Sequence, residues 1–193
     1  MELKLLLQIV GVALGLLYLW LEYRADIRLW VVGLIMPCVH GTLYFTAGLY
    51  ADSAMQLYYI LAGVYGWLVW RNAPRASATE KALTIGHTPL GWWPWLVAVY
   101  VVLHGALYLV LRYATDSTVP FFDAMTTALS VVALWMLSRK RVEQWLVWAL
   151  VDALTVGLYL YKGIPLTAAL YGLYTVLALV GWRRWCYEAQ MKE

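Results

Sequence analysis

Apolar residues in this chain come in long unbroken blocks, with short charged or turn-forming segments between them. Seven blocks, at approximately 3–22, 29–49, 54–70, 93–112, 119–138, 144–161 and 164–182, reach membrane-spanning length. A helix needs about 17–25 mostly apolar residues to cross about 30 Å of hydrocarbon. The pattern therefore predicts seven transmembrane helices. The first block is too long for the apolar core of a signal peptide and lacks a small-residue cleavage site, so it is read as a retained span. The largest connecting segment, Arg71–Gly91, holds Pro74, Ser77, Thr79, Glu80 and Lys81 and divides three spans from four.

Composition agrees with the blocks. Of 193 residues, 64% are hydrophobic and 13% charged, against roughly 45–50% and about 25% in soluble domains. Disorder, a disulfide scaffold and a nucleic-acid binder are excluded. Cys38 falls inside a span and Cys186 just past the last one, so they lie at different depths. Neither a disulfide nor a metal site is expected, and nothing calls for a cofactor.

Charge reports orientation rather than a basic surface. Arg24, Arg28, Arg71, Arg75, Lys81, Arg139, Lys140, Arg141, Arg183, Arg184 and Lys192 fall on one side of the predicted spans; only Lys4, Arg112 and Lys162 fall on the other. The positive-inside rule then puts the N-terminus outside and the C-terminus in the cytoplasm.

The chain also repeats. At an offset of 115 residues Trp20 falls on Trp135, Arg24 on Arg139, Trp30 on Trp145, Tyr44 on Tyr159, Gly48 on Gly163, Tyr59 on Tyr174, Gly66 on Gly181, Trp67 on Trp182 and Trp70 on Trp185. Three helices are an odd number, so a direct fusion would invert the second copy; the unmatched fourth span restores its orientation. The expected plan is an all-α membrane protein of 3+1+3 helices with two parallel three-helix repeats. Its parts are a first repeat at 1–71, a cytoplasmic linker and inverting helix at 72–118, a second repeat at 119–186 and a cytoplasmic tail at 187–193. Transporters commonly bind solute near the midplane between such halves.

Asp152 falls near the middle of the sixth block. A carboxylate there costs about 2.5–3.5 kcal/mol on insertion scales, so it should face the bundle interior. Trp148, Asp152, Thr155 and Tyr159 follow at i, i+4, i+7 and i+11 and share one helix face. An aromatic plane, a negative charge and hydroxyls in a row suit a flat cation, by stacking and a cation–π attraction of ~0.5–2 kcal/mol. The structural alternative is that Asp152 pairs with His40 or His104 and only fixes packing. On the third block Gln56 and Tyr59 occupy one face, and Tyr171 and Tyr174 are their mates in the second half. These four are expected to line the same cavity, the alternative for Gln56 being wetting at the outer boundary. Asp123 either caps the fifth helix, pairs with Arg112 or serves an outer gate. Pro37, the mate of Asp152, predicts a kinked second helix, either a hinge or plain packing. Trp92, Trp93, Trp95, Trp145, Trp182 and Trp185 lie at span ends and are read as interfacial anchors, with Trp67 and Trp70 treated alike.

Several of these stretches resemble the PnuC family of bacterial B-vitamin transporters. The resemblance lies in Gly48-Leu-Tyr-Ala-Asp52, Gln56, Tyr58-Tyr59 and Tyr65-Gly-Trp-Leu-Val-Trp70. It continues in Asp123, Trp145-Leu-Val-Trp-Ala-Leu-Val-Asp152, Leu158-Tyr-Leu-Tyr-Lys-Gly163 and Leu170-Tyr171. It covers essentially the whole chain and implies a SWEET-like plan in the inner membrane. It also implies facilitated diffusion of a vitamin, trapping by a cytoplasmic vitamin kinase, and a homo-oligomer. In the family's nicotinamide riboside carriers the motif looks like Trp-x-x-x-Asn, whereas here it is Trp148-x-x-x-Asp152. That departure favours thiamine, whose thiazolium is a permanent cation, over nicotinamide riboside, the alternative. Riboflavin is neutral and gives Asp152 nothing to pair with.

Other classes are weaker. A sugar carrier would want Asn and Gln around the site more than a buried acid. An intramembrane enzyme would need a nucleophile with its base, paired carboxylates or a metal cluster. His40 and His104 sit on different blocks without HExxH-type spacing, His87 lies in the linker, and no GxSxG or phosphate loop occurs. No ATP-binding segment is present either. The partners expected are a small vitamin and the lipid bilayer, with no nucleic acid.

Overall fold

The computed structural model describes residues 2–46, 50–73, 83–161 and 163–191. Among them are seven α-helices and no strand: α1 (Glu2–Tyr23), α2 (Arg28–Thr46), α3 (Tyr50–Arg71), α4 (Trp93–Ala114), α5 (Pro120–Ser138), α6 (Gln144–Tyr161) and α7 (Pro165–Gln190). Each coincides with one apolar block of the sequence. Proline sits at the start of α4, α5 and α7, where its fixed φ suits the first turn and its missing N–H breaks no bond. Gly48, most of the linker around Pro74–Lys81, Lys162 and Lys192 lie outside the described residues.

Three segments, Leu90–Ala114, Pro120–Ser138 and Gln144–Tyr161, are long and apolar enough to cross a membrane by length and composition. On α4 the exposed side chains include Val97, Val101, Val102, Leu109 and Val110. Water would penalise such a face, and lipid does not. The last helix runs past its predicted end at 182 to Gln190, carrying Arg183, Arg184 and Glu188; Arg184 pairs with Glu188 at 2.7 Å.

The chain forms two compact units, Met1–Leu83 and Thr84–Glu193. In the first, α2 packs against both α1 and α3; in the second, α6 packs against both α5 and α7, and α4 lies along α5. Helix α2 continues through Pro37, which frees the carbonyl of Gly33 from its usual partner. Tyr18 of α1 packs so closely there that a Cβ on Gly33 would lie 2.9 Å from its ring.

The turns leaving α1 and α5 have the same hydrogen bonds 115 positions apart. Ala25 N–H donates to the Glu22 carbonyl at 2.9 Å and Lys140 N–H to that of Leu137 at 2.9 Å. Asp26 N–H reaches the Leu21 carbonyl at 2.9 Å, and Arg141 N–H reaches that of Met136 at 3.0 Å. Ala25 and Lys140 both take φ 51°, a left-handed conformation that neither residue type favours. The residue pattern gave no glycine signal for either turn.

Tryptophan packing matches in the same way. Trp30 meets Trp70 edge-to-face at 5.6 Å and 89°, and Trp145 meets Trp185 at 5.7 Å and 89°. Gly66 lies against the ring of Trp30 and Gly181 against that of Trp145, each too close to admit a Cβ. Trp145 and Trp185 are 1% and 0% exposed, and Trp30 and Trp70 are buried as well. The expectation that Trp70, Trp145 and Trp185 are interfacial anchors is therefore corrected: they are core. Depth along a helix suggests the interface, but angular position decides burial. Trp93, Trp95 and Trp182 stay exposed.

Candidate functional site

The α6 face predicted from spacing carries the candidate site within the second unit. Asp152 is 8% exposed, the one carboxylate buried in the interior of a described apolar span of that unit. Among the described residues no hydrogen bond or ion pair to its carboxylate is found, and Tyr174 of α7 lies near it. His104 does not pair with it: its Nδ1 lies 3.2 Å from the Tyr100 hydroxyl, and its ring packs on Phe121 at 4.8 Å. The His40 side chain lies outside the described residues.

From Tyr174 a run of phenols leads along the two helices. Tyr159 and Tyr171 stack at 5.5 Å and 19°, and Tyr171 meets Tyr174 edge-on at 5.7 Å and 75°. The arrangement continues one aromatic surface from α6 to α7. Trp148, one turn from Asp152, has a buried indole Nε1 with no partner among the described residues. Thr155 donates its hydroxyl to the Val151 carbonyl at 2.7 Å, so only its acceptor lone pairs face outward. Tyr159, Tyr171 and Tyr174 are thus brought together and Asp152 lies near Tyr174, with Thr155 between Asp152 and Tyr159 on α6 and Trp148 one turn before the acid.

Gln56 and Tyr59 lie on α3 of the first unit, both half-buried, and Tyr59 packs edge-on against Tyr58 at 5.4 Å and 62°. Asp123, in the first turn of α5, accepts from the Ser117 hydroxyl at 2.6 Å. That contact ties the acid to the α4–α5 connection and complements the positive end of the helix dipole. No group of three or more His, Cys, Asp or Glu arranged to hold a metal ion occurs among the described residues.

Sequence reasoning missed a second constellation. The linker residues Gly86–Thr88 dock on the α5–α6 turn. Gly86 N–H donates to the Lys140 carbonyl at 3.2 Å and Val142 N–H to the Gly86 carbonyl at 3.1 Å. Glu143 accepts from Thr88 N–H at 2.8 Å and its hydroxyl at 2.6 Å, and His87 Nδ1 lies 2.7 Å from the other oxygen. Arg141 donates to the His87 carbonyl at 3.1 Å and lies over the Trp92 ring at 4.8 Å. Burial alone would raise the Glu143 carboxyl, but the hydrogen bonds from Thr88 and His87 outweigh it and hold the group below its ordinary value. Partners more than fifty residues apart leave no periodic signal.

Helices of membrane-spanning length, and a buried acid with no hydrogen-bond partner among the described residues, define an integral membrane protein with a polar group inside its second unit. The chain belongs to the PnuC family of vitamin transporters: the family described as nicotinamide mononucleotide transporter matches residues 5–187. It is 28% identical over 208 residues to the nicotinamide riboside transporter PnuC of Escherichia coli, covering 95% of this chain and 86% of that one. It is also 28% identical over 177 residues to the riboflavin/roseoflavin transporter RibM of Streptomyces davaonensis, covering 91% and 82%. Among solved structures, that of the vitamin B3 transporter PnuC superposes with a TM-score of 0.72 over 95% of this chain and 82% of that one, at 23% identity. The fold and the family agree: this is a multi-pass membrane transporter.

Proposed function

We propose that the protein is a uniporter carrying thiamine into the cell by facilitated diffusion. A cytoplasmic kinase would trap the vitamin, and nicotinamide riboside is the second reading. The proposal places seven crossings in the bacterial inner membrane as 3+1+3 helices, with the N-terminus outside, in a homo-oligomer. The turns and tryptophan pairs that recur 115 residues apart support the duplication behind that plan.

One observation carries the substrate class: Asp152, buried with no counter-ion among the described residues, lies near Tyr174, from which ring contacts lead through Tyr171 to Tyr159. A carboxylate so placed is compensated by a cation that brings its own charge, and the rings accept a flat heterocycle. Thiamine and nicotinamide riboside both meet that requirement. The acid where nicotinamide riboside carriers have Asn favours thiamine, while the E. coli relative's stated substrate favours nicotinamide riboside. The RibM relative carries a neutral flavin, which would leave Asp152 uncompensated. Gln56, Tyr59, Trp148 and Thr155 are proposed as further lining groups and Asp123 as an outer gate.

The test is titration of purified protein with thiamine, nicotinamide riboside and riboflavin, read by quenching of tryptophan fluorescence. Asp152→Asn should weaken thiamine by about 2 kcal/mol, roughly thirtyfold in Kd, and nicotinamide riboside by less. Equal losses, or none, would return Asp152 to a packing role.

A further inference from the structure

On α6 the face bearing Trp148, Asp152, Thr155 and Tyr159 continues one turn towards the predicted cytoplasmic end, to Gln144. At about 100° per residue, all five positions fall within an arc of about 80°. Gln144 is 0% exposed, and neither its amide oxygen nor its amide nitrogen has a hydrogen-bond partner among the described residues. The next polar group along the face, Trp148 Nε1, is buried and equally unpartnered. An orphaned buried amide is destabilising, and folded proteins leave few of them.

Comparison with the first unit shows that the fold does not demand it. The matching position is Leu29, also 0% exposed, at the start of α2 in the same turn and beside the matching tryptophan. An apolar side chain fills this place in one unit. The other unit keeps an amide there with both of its hydrogen-bonding atoms unused.

We propose that Gln144 is a substrate-reading residue: an inner station that takes up the solute's polar ring edge on its way from Asp152 to the cytoplasm. This rests on the transport reading above. A glutamine side chain offers an NH2 donor group and a carbonyl acceptor side by side, and Trp148 Nε1 adds a donor one turn away. The ligand chemistry that matches is a ring edge with adjacent donor and acceptor. A primary carboxamide on a pyridinium and an aminopyrimidine both qualify. Asp152 would then read charge, and Gln144 would read the edge.

The experiment uses the full chain in liposomes, as wild type, Gln144→Leu (which copies the Leu29 solution) and Gln144→Met. Uptake is measured for two substrate pairs: thiamine against its 4-oxo analogue, and nicotinamide riboside against its carboxylate counterpart. Wild type should prefer the amino or amide member of the pair that matches its substrate, which also decides between the two vitamins. Both variants should melt at or above the wild-type temperature, because the unpaired amide is gone. They should lose about tenfold in uptake of the preferred member, one hydrogen-bonding pair, and most of the discrimination. Unchanged uptake and discrimination would overturn the proposal and leave Gln144 bound to an ordered water at most. Failure of both variants to fold would also overturn it, by making the amide structural. If wild type carries neither vitamin, the transport reading itself fails, and the station falls with it.

Discussion

Adding one methyl group at Gly181 tests whether the tryptophan–glycine contact is a packed core. A Cβ there would lie 2.8 Å from Cδ2, Cε2 and Cε3 of Trp145, well inside the ~3.5–4.0 Å of carbon contact. Those atoms surround the fused bond of the indole, which cannot swing aside as a ring tip can. The ring is 1% exposed and held edge-on by Trp185 at 5.7 Å. Overpacking a core by this amount costs about 1–3 kcal/mol, while replacing a helical glycine with alanine returns about 0.5–1 kcal/mol. The net for Gly181→Ala is a loss of up to about 2.5 kcal/mol, centred near 1 kcal/mol. At about 2–4 °C per kcal/mol for a chain of this size, the melting temperature in detergent should fall by several degrees. Gly157 in α6 supplies the control, since a Cβ there meets nothing within 4 Å. Gly157→Ala should leave the melting temperature level or raise it slightly. A Gly181→Ala protein that melts as high as Gly157→Ala would refute the packing argument.

The same contact in the first unit predicts that Gly66→Ala destabilises at least as much, because a Cβ there would press even closer on the Trp30 ring, which is 2% exposed and held edge-on by Trp70; paired melting curves decide. Trp145→Ala removes a fully buried ring and should cost about 3–5 kcal/mol, which expression and size-exclusion profiles would register as loss of folded protein. Tyr171→Phe keeps the stack on Tyr159 and should bind vitamin nearly as wild type, whereas Tyr171→Ala should weaken it by about 1 kcal/mol, roughly fivefold in Kd. Glu143→Gln should release Gly86–Thr88, seen as faster protease cleavage at the linker. Because the Glu143 carboxyl titrates lower folded than unfolded, its contribution is present above the ordinary glutamate range. It is lost as pH falls through the folded value, so linker cleavage in the wild type should rise only in acid; a rise confined to alkaline pH would contradict the sign.

Much of the helix layout was legible because membrane-spanning length is a property of composition alone. The 115-residue repeat was legible because tryptophan and glycine are poor candidates for chance coincidence. Asp152 and its tyrosines were legible because helical spacing puts Trp148, Asp152, Thr155 and Tyr159 on one face whatever lies opposite. Trp145 and Trp185 were misread because nearness to Arg141 and Arg184 along the chain mimics an interfacial position. The glycine that each ring needs lies on another helix: Trp145 packs on Gly181, Trp30 on Gly66. A glycine repeated together with its tryptophan at the same offset was the available clue. Gln144 went unnoticed because an amide at a span end looks wetted until its burial is known. The Glu143–Thr88 contact had no sequence signal at all.

The two α–α turns explain why one of them holds the linker. Asp26 and Arg28 in the first unit match Arg141 and Glu143 in the second, with the signs exchanged. Asp26 accepts from Arg28 through both carboxylate oxygens, at 2.7–3.1 Å, so the first turn closes on itself. In the second, the acid moves to the helix start and accepts from Thr88 and His87, while the arginine donates to the His87 carbonyl. The backbone bonds of the two turns are the same to within a few tenths of an ångström, so the difference lies in the side chains. Exchanging the charges turns a self-contained pair into a clamp for a passing segment. Position 88 opens the approach to α4. A swap of Arg141 and Glu143 back to Asp and Arg would restore the self-closing pair, and it should free the linker to proteases without unfolding the helices, whose circular dichroism would stay unchanged. Helices lost together with the clamp would mean that the docked segment is part of the folded core of the second unit.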